Sequence, residues 1–457
     1  MAAFVVASTA EAGEIGACLV VLRDALRRVD IMAVSSALPS RRLTARYWLE
    51  TPADPEKVAA VMAGEQSTGT FVRLPNETDE LIERCGAVVE NVQLLEDSQG
   101  ASLPTARRAA DIPVRRAVVD ISWGEANFGY SLPNLLATVA GNLFELRDVT
   151  GLRLQSLSLP DGYAERYPGP QFGALGTREL TGVASGPLIG TIIKPSVGLS
   201  PDETAAVVKS LCDGGIDFIK DDELQADGSH CPFDERVAAV MRGVNDHAAR
   251  TGKKVMVAFN ITDDIERMLR HHDTVLAHEG TCVMVSLNSV GVAGVEYLRR
   301  RCALPIHGHR NGWGYLSRHP SLGFDYDAWQ VLWRLAGVDH MHVNGLRNKF
   351  SETDESVMHS ARALAQPLFS KGLPGYQAMP VFSSGQWAEQ ALETRQSLGH
   401  ADLIYTCGGG IVAHPDGIGA GVESIRAAWE GAERGLSVQQ VAQENAAVRQ
   451  ALAFFGG

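Results

Sequence analysis

The stretch FIKDDE, residues 218–223, sets a lysine directly against three acidic residues. Asp222 and Glu223 offer hard carboxylate oxygens, which suit Mg²⁺ better than Zn²⁺. Two carboxylates alone bind magnesium loosely, and a lysine among acids normally stays a cation and forms salt bridges. In a buried site near a metal, the neutral amine of Lys220 could instead take up CO2, and the carbamate would be a third oxygen ligand. The residue types therefore allow two interpretations, a solvated charge cluster at a strand end or a magnesium site.

The elements around this stretch help to decide between the two. From residue 187 on, short apolar strands alternate with amphipathic helices, which is typical of parallel strands buried on both faces. Ser200 can cap one of these helices, and Pro201 suits its first turn. Eight strands can be counted: PLIGTIIKP, IDFIKDD, KVMVAFNIT, TCVMVSLNS, LPIHGHR, VDHMHVNG, AMPVFSSG and ADLIYTCGGG. Eight such units in succession predict a (β/α)8 TIM barrel over residues 181–430.

In such a barrel the active site lies at the C-terminal ends of the strands. Polar residues and glycines gather at those ends: Lys194, Lys220 to Glu223, Asn260, Asn288, His307, His309, Arg310, His340, His342, Ser383, Ser384 and Gly408 to Gly410. Contributions from every strand favour a functional site over solvated strand ends. The loops SSGQW and TCGGGIVAHPDG follow strands seven and eight, where barrels commonly hold phosphate through backbone N–H groups. Arg310 could add a bidentate clamp on a phosphate.

Ahead of the barrel, residues 41–180 predict a smaller α+β domain of ferredoxin-like type. RLTARYWLET and RRAVVDISWG predict strands, and DPEKVAAVMAGEQ and SLPNLLATVAGNLFE predict helices. Residues 159–180 are rich in Gly and Pro and predict a connection between the domains. We expect residues 1–40 to be an extension, either disordered or upstream of the true start, and residues 431–457 to form a C-terminal helix.

Composition excludes several classes of function. The chain has 457 residues and a net charge of -13, and its 41 Lys and Arg residues are scattered, which argues against nucleic-acid binding. No apolar run reaches the roughly 18–20 residues of a membrane span, and acidic residues interrupt the N-terminal apolar patches. The seven cysteines lack zinc-ligand spacing and indicate reduced thiols. We therefore expect a cytoplasmic protein that binds neither nucleic acid nor membrane.

Several motifs together resemble RuBisCO and the RuBisCO-like (form IV) proteins, in collinear order from about residue 42 to residue 430. They are GEQSTGTF, TVAGNLFEL, GTIIKPSVGLSP, GGIDFIKDDE, HGHRNGWG, HMHVNGLRNKF and CGGGIVAHPDG. The resemblance implies that Lys220 is a carbamylated lysine and that Asp222 and Glu223 complete the Mg²⁺ ligands. It also implies that Lys194 handles a substrate proton or oxygen during enolisation.

The resemblance implies further roles for matching residues. His309 and Arg310 match the pair that contacts a substrate hydroxyl and phosphate, and His342 lies beside them. Phosphate-binding positions correspond to Ser384, Gly385, Gly408 and Gly409. Positions that reach the site from the N-terminal domain of a neighbouring subunit correspond to Glu65, Thr70 and Asn142. A homodimer or an assembly of dimers is therefore expected, acting on a small phosphorylated, sugar-like substrate.

Departures from the RuBisCO pattern indicate a reshaped pocket. Ser196 replaces a lysine that assists carboxylation, and Ile192 replaces a polar residue before the first-strand lysine. Phe71 replaces a tryptophan, Gln386 a glycine and Trp313 a histidine. These differences argue for a RuBisCO-like protein and against a carbon-fixing carboxylase.

RuBisCO-like proteins share one step, the formation of a metal-stabilised enolate. Lys349 lies where carboxylases hold a lysine that faces CO2, and its ammonium would favour a substrate carboxylate, although it could also be a surface lysine of the loop. We therefore expect decarboxylation of a 3-oxo sugar-acid phosphate of the 3-oxo-isoapionate 4-phosphate type. The alternative is an isomerase or enolase of a methylthio-pentulose phosphate, for which Trp313 and Phe71 could line an apolar slot. A true carboxylase and a non-catalytic binding protein are the remaining alternatives.

Overall fold

The computed structural model describes residues 42–69, 73–104, 113–369 and 372–456. The predicted extension at residues 1–40 lies outside them. The strands are β1 (Arg42–Thr51), β2 (Val88–Leu94), β3 (Ser98–Gln99), β4 (Pro113–Gly124), β5 (Gly151–Ser158), β6 (Leu188–Ile192), β7 (Phe218–Lys220), β8 (Met256–Asn260), β9 (Cys282–Ser286), β10 (Ile306–His309), β11 (Leu322–Phe324), β12 (His340–His342), β13 (Met379–Phe382) and β14 (Ile404–Thr406).

The α-helices connect these strands and flank the sheets. They are α1 (Pro55–Glu65), α2 (Asp79–Cys85), α3 (Leu132–Ala140), α4 (Gly162–Arg166), α5 (Gly173–Thr181), α6 (Pro201–Asp213), α7 (Phe233–Thr251), α8 (Ile265–Ala277), α9 (Leu287–Arg299), α10 (Trp313–Ser317), α11 (Tyr326–Leu335), α12 (Asp354–Ala365), α13 (Ala391–Leu398), α14 (Gly408–Val412), α15 (Ile418–Glu433), α16 (Val438–Glu444) and α17 (Ala446–Phe455). Among the described residues, no helix combines the length and the apolar character needed to cross a bilayer.

The N-terminal α+β domain is built on a sheet of strand order β11-β5-β1-β4-β2, with β3 paired to β4. Strand β1 lies at the centre and pairs antiparallel with both β4 and β5. Its apolar residues alternate, so that Leu43, Ala45, Tyr47 and Leu49 are buried on one face. The Tyr47 hydroxyl donates a 2.6 Å hydrogen bond to the carbonyl oxygen of Val139 and so ties helix α3 to the sheet.

The barrel closes in the strand order β10-β12-β13-β14-β6-β7-β8-β9, and every strand pairs in parallel with its neighbours. Most of its strands are continuous apolar runs because helices cover the outside and other side chains fill the inside, whereas β10 (IHGH) and β12 (HMH) carry histidines. The interior packing includes Leu188, Phe218, Met256, Met284 and Ile404. This closed parallel barrel, preceded by an α+β domain, confirms the predicted fold class.

Strand β11 was not predicted from the sequence. It lies in the segment between the fifth and sixth barrel strands and pairs in parallel with β5 of the N-terminal sheet. Arg153 on β5 fixes this segment, since its guanidinium donates to the carbonyl oxygens of His319 at 2.8 Å and Phe324 at 2.7 Å. The pairing brings the N-terminal sheet to the barrel mouth, where Trp48 and Gln155 line the central cavity.

Two predictions about connections need correction. The predicted Gly/Pro-rich connection at residues 159–180 contains helices α4 and most of α5. The predicted single C-terminal helix is two helices, α16 and α17, divided at Asn445. Asn445 has an extended backbone, and its side chain accepts a 3.0 Å hydrogen bond from the Val448 N–H. Asparagine favours this N-cap geometry, so it ends one helix and begins the next.

Candidate active site

A cavity of about 1260 Å³ opens at the C-terminal ends of the barrel strands. The predicted site residues that line it are Lys194, Lys220, Asp222, Glu223, His309, Arg310, His342, Lys349, Ser384, Gly385, Gly408 and Gly409. They end or follow strands β6, β7, β10, β12, β13 and β14, so the closed fold brings together residues that are more than 200 positions apart in sequence.

Lys220 ends strand β7 and is completely buried. Its Nζ atom lies 3.5 Å from Glu223 Oε2. Burial lowers the pKa of Lys220, although the negative charges of Glu223, Asp222 and Asp221 oppose that effect. The net result is a larger fraction of neutral amine than a solvent-exposed lysine has at the same pH, and the neutral amine is the form that reacts with CO2.

The acidic residues after Lys220 divide into two roles. Asp221 turns away from the cavity, and its Oδ2 accepts hydrogen bonds from Arg236 Nη2 at 3.3 Å and from the Asn260 N–H at 3.0 Å. Asp222 and Glu223 line the cavity. Asn260 holds their backbone, because its Nδ2 donates to the carbonyl oxygen of Glu223 at 3.2 Å. One acid of the motif therefore anchors helix α7, and two face the site.

Lys194, which follows β6, contacts Asp222, which follows the neighbouring strand β7. Its Nζ donates hydrogen bonds to Asp222 Oδ2 at 2.6 Å and to Ser196 Oγ at 2.9 Å. Burial acts to raise the pKa of Asp222, but hydrogen bonds from Lys194 and the Leu224 N–H, together with the charges of Lys194 and Lys220, leave that pKa below its usual value. Asp222 is therefore an anion at neutral pH. Lys194 is part-exposed, with 41% of its side chain accessible, and so remains open to a ligand.

The donor set fits Mg²⁺ bound through oxygen. Asp222 and Glu223 supply two hard carboxylates beside the buried amine of Lys220. Among the described residues, no group of three His, Cys, Asp or Glu side chains is placed to hold a metal ion by itself. A third oxygen ligand from a Lys220 carbamate would fill that gap, and the burial that favours a neutral amine suits its formation.

Histidines from β10 and β12 form the wall beside the acids. His307 Nε2 lies 2.8 Å from His342 Nε2, and His342 Nδ1 lies 3.2 Å from Ser383 Oγ. His309 Nε2 lies 3.5 Å from Glu223 Oε2. Burial, reinforced by the charge of Lys220, lowers the pKa of His309 to about 4. The imidazole of His309 is thus neutral near pH 7 and can either accept or donate a hydrogen bond.

Arg310 follows β10 and is held by a residue that the sequence did not indicate. Its Nη2 forms an ion pair with Glu352 Oε2, which also accepts a 2.7 Å hydrogen bond from Asn344 Nδ2. Glu352 and Asn344 both line the cavity. No sequence motif marks Glu352, because it lies ten residues beyond β12 in an irregular loop and reaches the site only through its backbone path.

Backbone from the last two strand ends lies open to the cavity. A methyl group placed on Gly409 would meet no heavy atom of another segment within 4 Å, and one on Gly408 would lie 3.8 Å from Ile192 Cδ1. Ser384 and Gly385 both have positive φ angles, 71° and 85°, which turn the chain sharply after β13. These loops leave main chain at Gly408 and Gly409 open to the cavity.

Lys349 lies in the loop that follows β12 and lines the cavity. Its N–H donates to the carbonyl oxygen of Ser384 at 3.4 Å. Its Nζ lies 5.3 Å from the centre of the Phe350 ring, which is a weak cation–π contact. Lys349 therefore lines the cavity from a solvent-exposed position on this loop.

Glu65 and Asn142, two of the residues expected to act across a subunit boundary, are not among those that line this chain's own cavity. Glu65 and Asn142 are exposed, and Asn142 Nδ2 donates a 3.1 Å hydrogen bond to Glu65 Oε1. Thr70 and Phe71 lie outside the described residues.

The departures from the RuBisCO pattern have different structural consequences. Ser196 binds Lys194, and Ile192 and Trp313 line the cavity. Trp313 is nonetheless 8% exposed and packs edge-on against Tyr326. Gln386 is buried and donates a 3.0 Å hydrogen bond to the Leu346 carbonyl oxygen, so it braces the loop after β12.

Comparison with known proteins matches this architecture. The model of the ribulose bisphosphate carboxylase large chain, catalytic domain, matches residues 173–455, and that of its N-terminal domain matches residues 41–163. A 3-oxo-isoapionate-4-phosphate transcarboxylase/hydrolase of Xanthobacter autotrophicus is 59% identical over 91% of this chain and 100% of the relative. A 3-oxo-isoapionate-4-phosphate decarboxylase of Rhizobium rhizogenes is 43% identical over 90% and 98% of the two chains. The crystal structure of a rubisco-like protein from Burkholderia fungorum superposes with a TM-score of 0.85 at 48% identity, over 91% of this chain and 100% of that one.

Proposed function

This chain belongs to the ribulose bisphosphate carboxylase large-chain family, as its motifs predicted, and we propose that it removes the carboxylate from a phosphorylated 3-oxo sugar acid. The observation that carries the proposal is a cavity with two carboxylates, a buried lysine and open glycine loops, in a chain 59% and 43% identical to relatives named for 3-oxo-isoapionate 4-phosphate. A 3-oxo acid can lose CO2 because the bond electrons pass into an enolate. The reverse of that step is the addition of CO2 to an enolate.

The proposed roles follow from the positions of the side chains. Asp222, Glu223 and a carbamate on Lys220 would hold Mg²⁺, which when bound polarises the 3-oxo group and stabilises negative charge on its oxygen. Lys349, on the loop after β12, is the candidate cation for the substrate carboxylate. The main chain at Gly408 and Gly409 is the candidate binding site for the substrate phosphate.

Lys194 is the candidate proton donor. As CO2 departs, the electrons of the broken C–C bond form the enolate, and a proton must then be delivered to the carbon that lost the carboxylate. Lys194 Nζ lines the cavity and is held in place by hydrogen bonds to Asp222 and Ser196, so it is positioned to deliver this proton. His309, with its low pKa, is suited to hydrogen-bonding a substrate hydroxyl rather than to donating a proton at pH 7.

A transcarboxylase/hydrolase is the second candidate, because the relative of that name is 59% identical. Its name implies the same substrate and a different fate for the carboxyl group, which is transferred instead of being released. The substrate labelled with ¹³C at its carboxylate separates the outcomes. Release of one ¹³CO2 for each substrate consumed supports decarboxylation, and label retained in acidic products supports transfer and hydrolysis.

Controls decide whether either activity belongs to this site. Lys220→Met should abolish turnover in both cases. No consumption of the substrate, combined with solvent deuterium entering a methylthio-pentulose phosphate, would refute the proposal in favour of the isomerase.

We also propose a homodimer in which Glu65, Thr70 and Asn142 complete the partner's site. The exposure of Glu65 and Asn142, away from this chain's own cavity, supports it. Hybrids formed from Lys220→Met and Glu65→Gln chains test it, because one of their two sites would carry neither defect. Recovery of about half the wild-type activity per hybrid dimer is expected, and no recovery would contradict a shared site.

A further inference from the structure

Arg310, the candidate phosphate clamp, is already engaged by a carboxylate of its own chain. The side chains of Arg310 and Glu352 are 7% and 14% exposed, so their ion pair is largely shielded from water. Glu352 has further partners, since Asn344 Nδ2 donates to its Oε2 at 2.7 Å and Ser356 Oγ donates to its Oε1 at 2.9 Å. Both carboxylate oxygens are therefore fixed in place.

We propose that Glu352 is a specificity-determining residue that restricts the cavity to substrates carrying one phosphate. Within the proposed function, on which this inference rests, that phosphate lies at the glycine loop after β14. Arg310 follows β10, which is three strand positions from β14 around the barrel. A second phosphate on the same substrate would have to bind near Arg310.

Charge explains the exclusion. A phosphate beside Arg310 would share the guanidinium with the Glu352 carboxylate, and two anions at a shielded site repel each other. Moving Glu352 aside would break its bonds to Arg310, Asn344 and Ser356 together. Phosphate would therefore bind there far more weakly than it binds a free arginine.

The other cationic side chains of the cavity do not replace Arg310. Lys194 is paired with Asp222, and Lys349 is solvent-exposed and is the candidate partner of the substrate carboxylate. Arg153 lines the cavity but is committed to Asp325 and to the carbonyl oxygens of Ser317, His319 and Phe324. Arg318 is exposed to solvent, where an ion pair contributes little. The Arg310–Glu352 ion pair has no net charge and presents both a hydrogen-bond donor and an acceptor. It therefore suits an uncharged polar group such as a substrate hydroxyl.

The test measures binding and needs no turnover. The probes are a pentitol 1-phosphate and the matching pentitol 1,5-bisphosphate, which lack a carbonyl group and cannot react. Isothermal titration calorimetry with Mg²⁺ and bicarbonate present gives the ratio of the two dissociation constants. The wild type should bind the two probes within about threefold of each other, whereas Glu352→Gln should bind the bisphosphate at least about tenfold more tightly than the monophosphate.

Three further variants separate charge from structure. Glu355→Gln, on the exposed first turn of α12, is the matched control and should keep the wild-type ratio. Glu352→Asp retains the negative charge and should also stay selective, whereas a merely structural role predicts that the Asp and Gln variants behave alike. Adding Arg310→Gln to Glu352→Gln should abolish the gain. Glu352→Ala serves the same purpose if the Gln variant does not fold.

Two results would overturn this inference without contradicting the proposed function. They are a wild type that already prefers the bisphosphate about tenfold, and a Glu352→Gln variant whose ratio is unchanged while it still binds the monophosphate. If the wild type binds neither probe, the proposed function fails together with this inference. Binding of the monophosphate therefore tells the two failures apart.

Discussion

Asp221 and Asp222 are adjacent acids of the KDDE motif, and replacing each by Asn should have different effects. Asp221→Asn should lower stability, whereas Asp222→Asn should lower activity. Asp221 is 1% exposed and pairs with Arg236, which is completely buried. Asp221→Asn leaves that guanidinium without its counter-charge, and breaking a buried pair typically costs about 3–5 kcal/mol. We expect about 3 kcal/mol, because Arg236 keeps carbonyl partners in Ala226 and Cys231, and Asn can still accept from the Asn260 N–H.

Asp222→Asn should leave stability nearly unchanged. The Lys194 side chain that it pairs with is 41% exposed, so the ion pair is worth no more than about 1 kcal/mol. Function should fall instead, since one of two candidate metal carboxylates loses its charge. We expect Mg²⁺ to bind at least about 100-fold more weakly, and kcat/KM to drop by at least the same factor, equivalent to about 2.7 kcal/mol of transition-state stabilisation.

Three measurements on both variants check the contrast. Urea unfolding gives the free energy of unfolding, calorimetry with bicarbonate present gives Mg²⁺ affinity, and release of ¹³CO2 gives kcat/KM. The reasoning is wrong if Asp222→Asn binds Mg²⁺ and turns over substrate normally. It is equally wrong if Asp221→Asn loses metal affinity at unchanged stability, because the two acids would then have exchanged roles.

Further predictions concern Lys220, the N-terminal sheet and the glycine loop after β14. Lys220→Met should remove the carbamate signal in ¹³C NMR with labelled bicarbonate and lower kcat/KM at least about 1000-fold, with equal or higher stability, since a buried amine is replaced by an apolar side chain of similar size. Asp120→Asn should cost about 1 kcal/mol at pH 7. The hydrogen bond and charge of Arg46 lower the pKa of Asp120. This stabilisation is therefore present above the unfolded-state pKa of about 3.9 and is lost as the pH falls through the folded-state pKa. In urea unfolding from pH 7 to pH 2, the free energy of unfolding should fall less steeply in the variant than in the wild type. Gly409→Ala should raise KM about tenfold without changing the melting temperature, because the added methyl enters open cavity space; an unchanged KM would place the phosphate elsewhere.

Local signals account for the parts of the fold that the sequence predicted well. Ser200 caps α6 in a capping box with Glu203, as its position before a proline and two acids indicates. The apolar barrel strands are equally easy to predict from the sequence, because burial on both faces requires continuous apolar runs. Once the strands are counted, barrel closure follows, and with it the gathering of most strand-end residues around one cavity. Asn260, Asn288, His307 and His340 are not among the residues that line it.

Local sequence patterns could not predict the contacts between segments that are distant in the chain. Strand β11 is only three residues long, and it forms because Arg153 and β5 provide partners about 170 positions away. The orientation of Asp221 away from the cavity depends on Arg236 of helix α7, and no local sequence pattern determines how that helix packs against β7. Glu352 depends in the same way on the path of an irregular loop.

Comparison with another buried pair shows why Lys220 is better explained by chemistry than by stability. Asp339 and Arg299 are both buried, 3.0 Å apart, and Asp339 also accepts hydrogen bonds from the N–H groups of Ile306, Phe172 and Gly173. That pair has the partners that offset the cost of burying charge. Lys220 is just as buried, yet Glu223 at 3.5 Å is a distant partner, and burial lowers the lysine's pKa. An apolar side chain would fill the same space at a lower cost, so the amine is best accounted for by what it can bind.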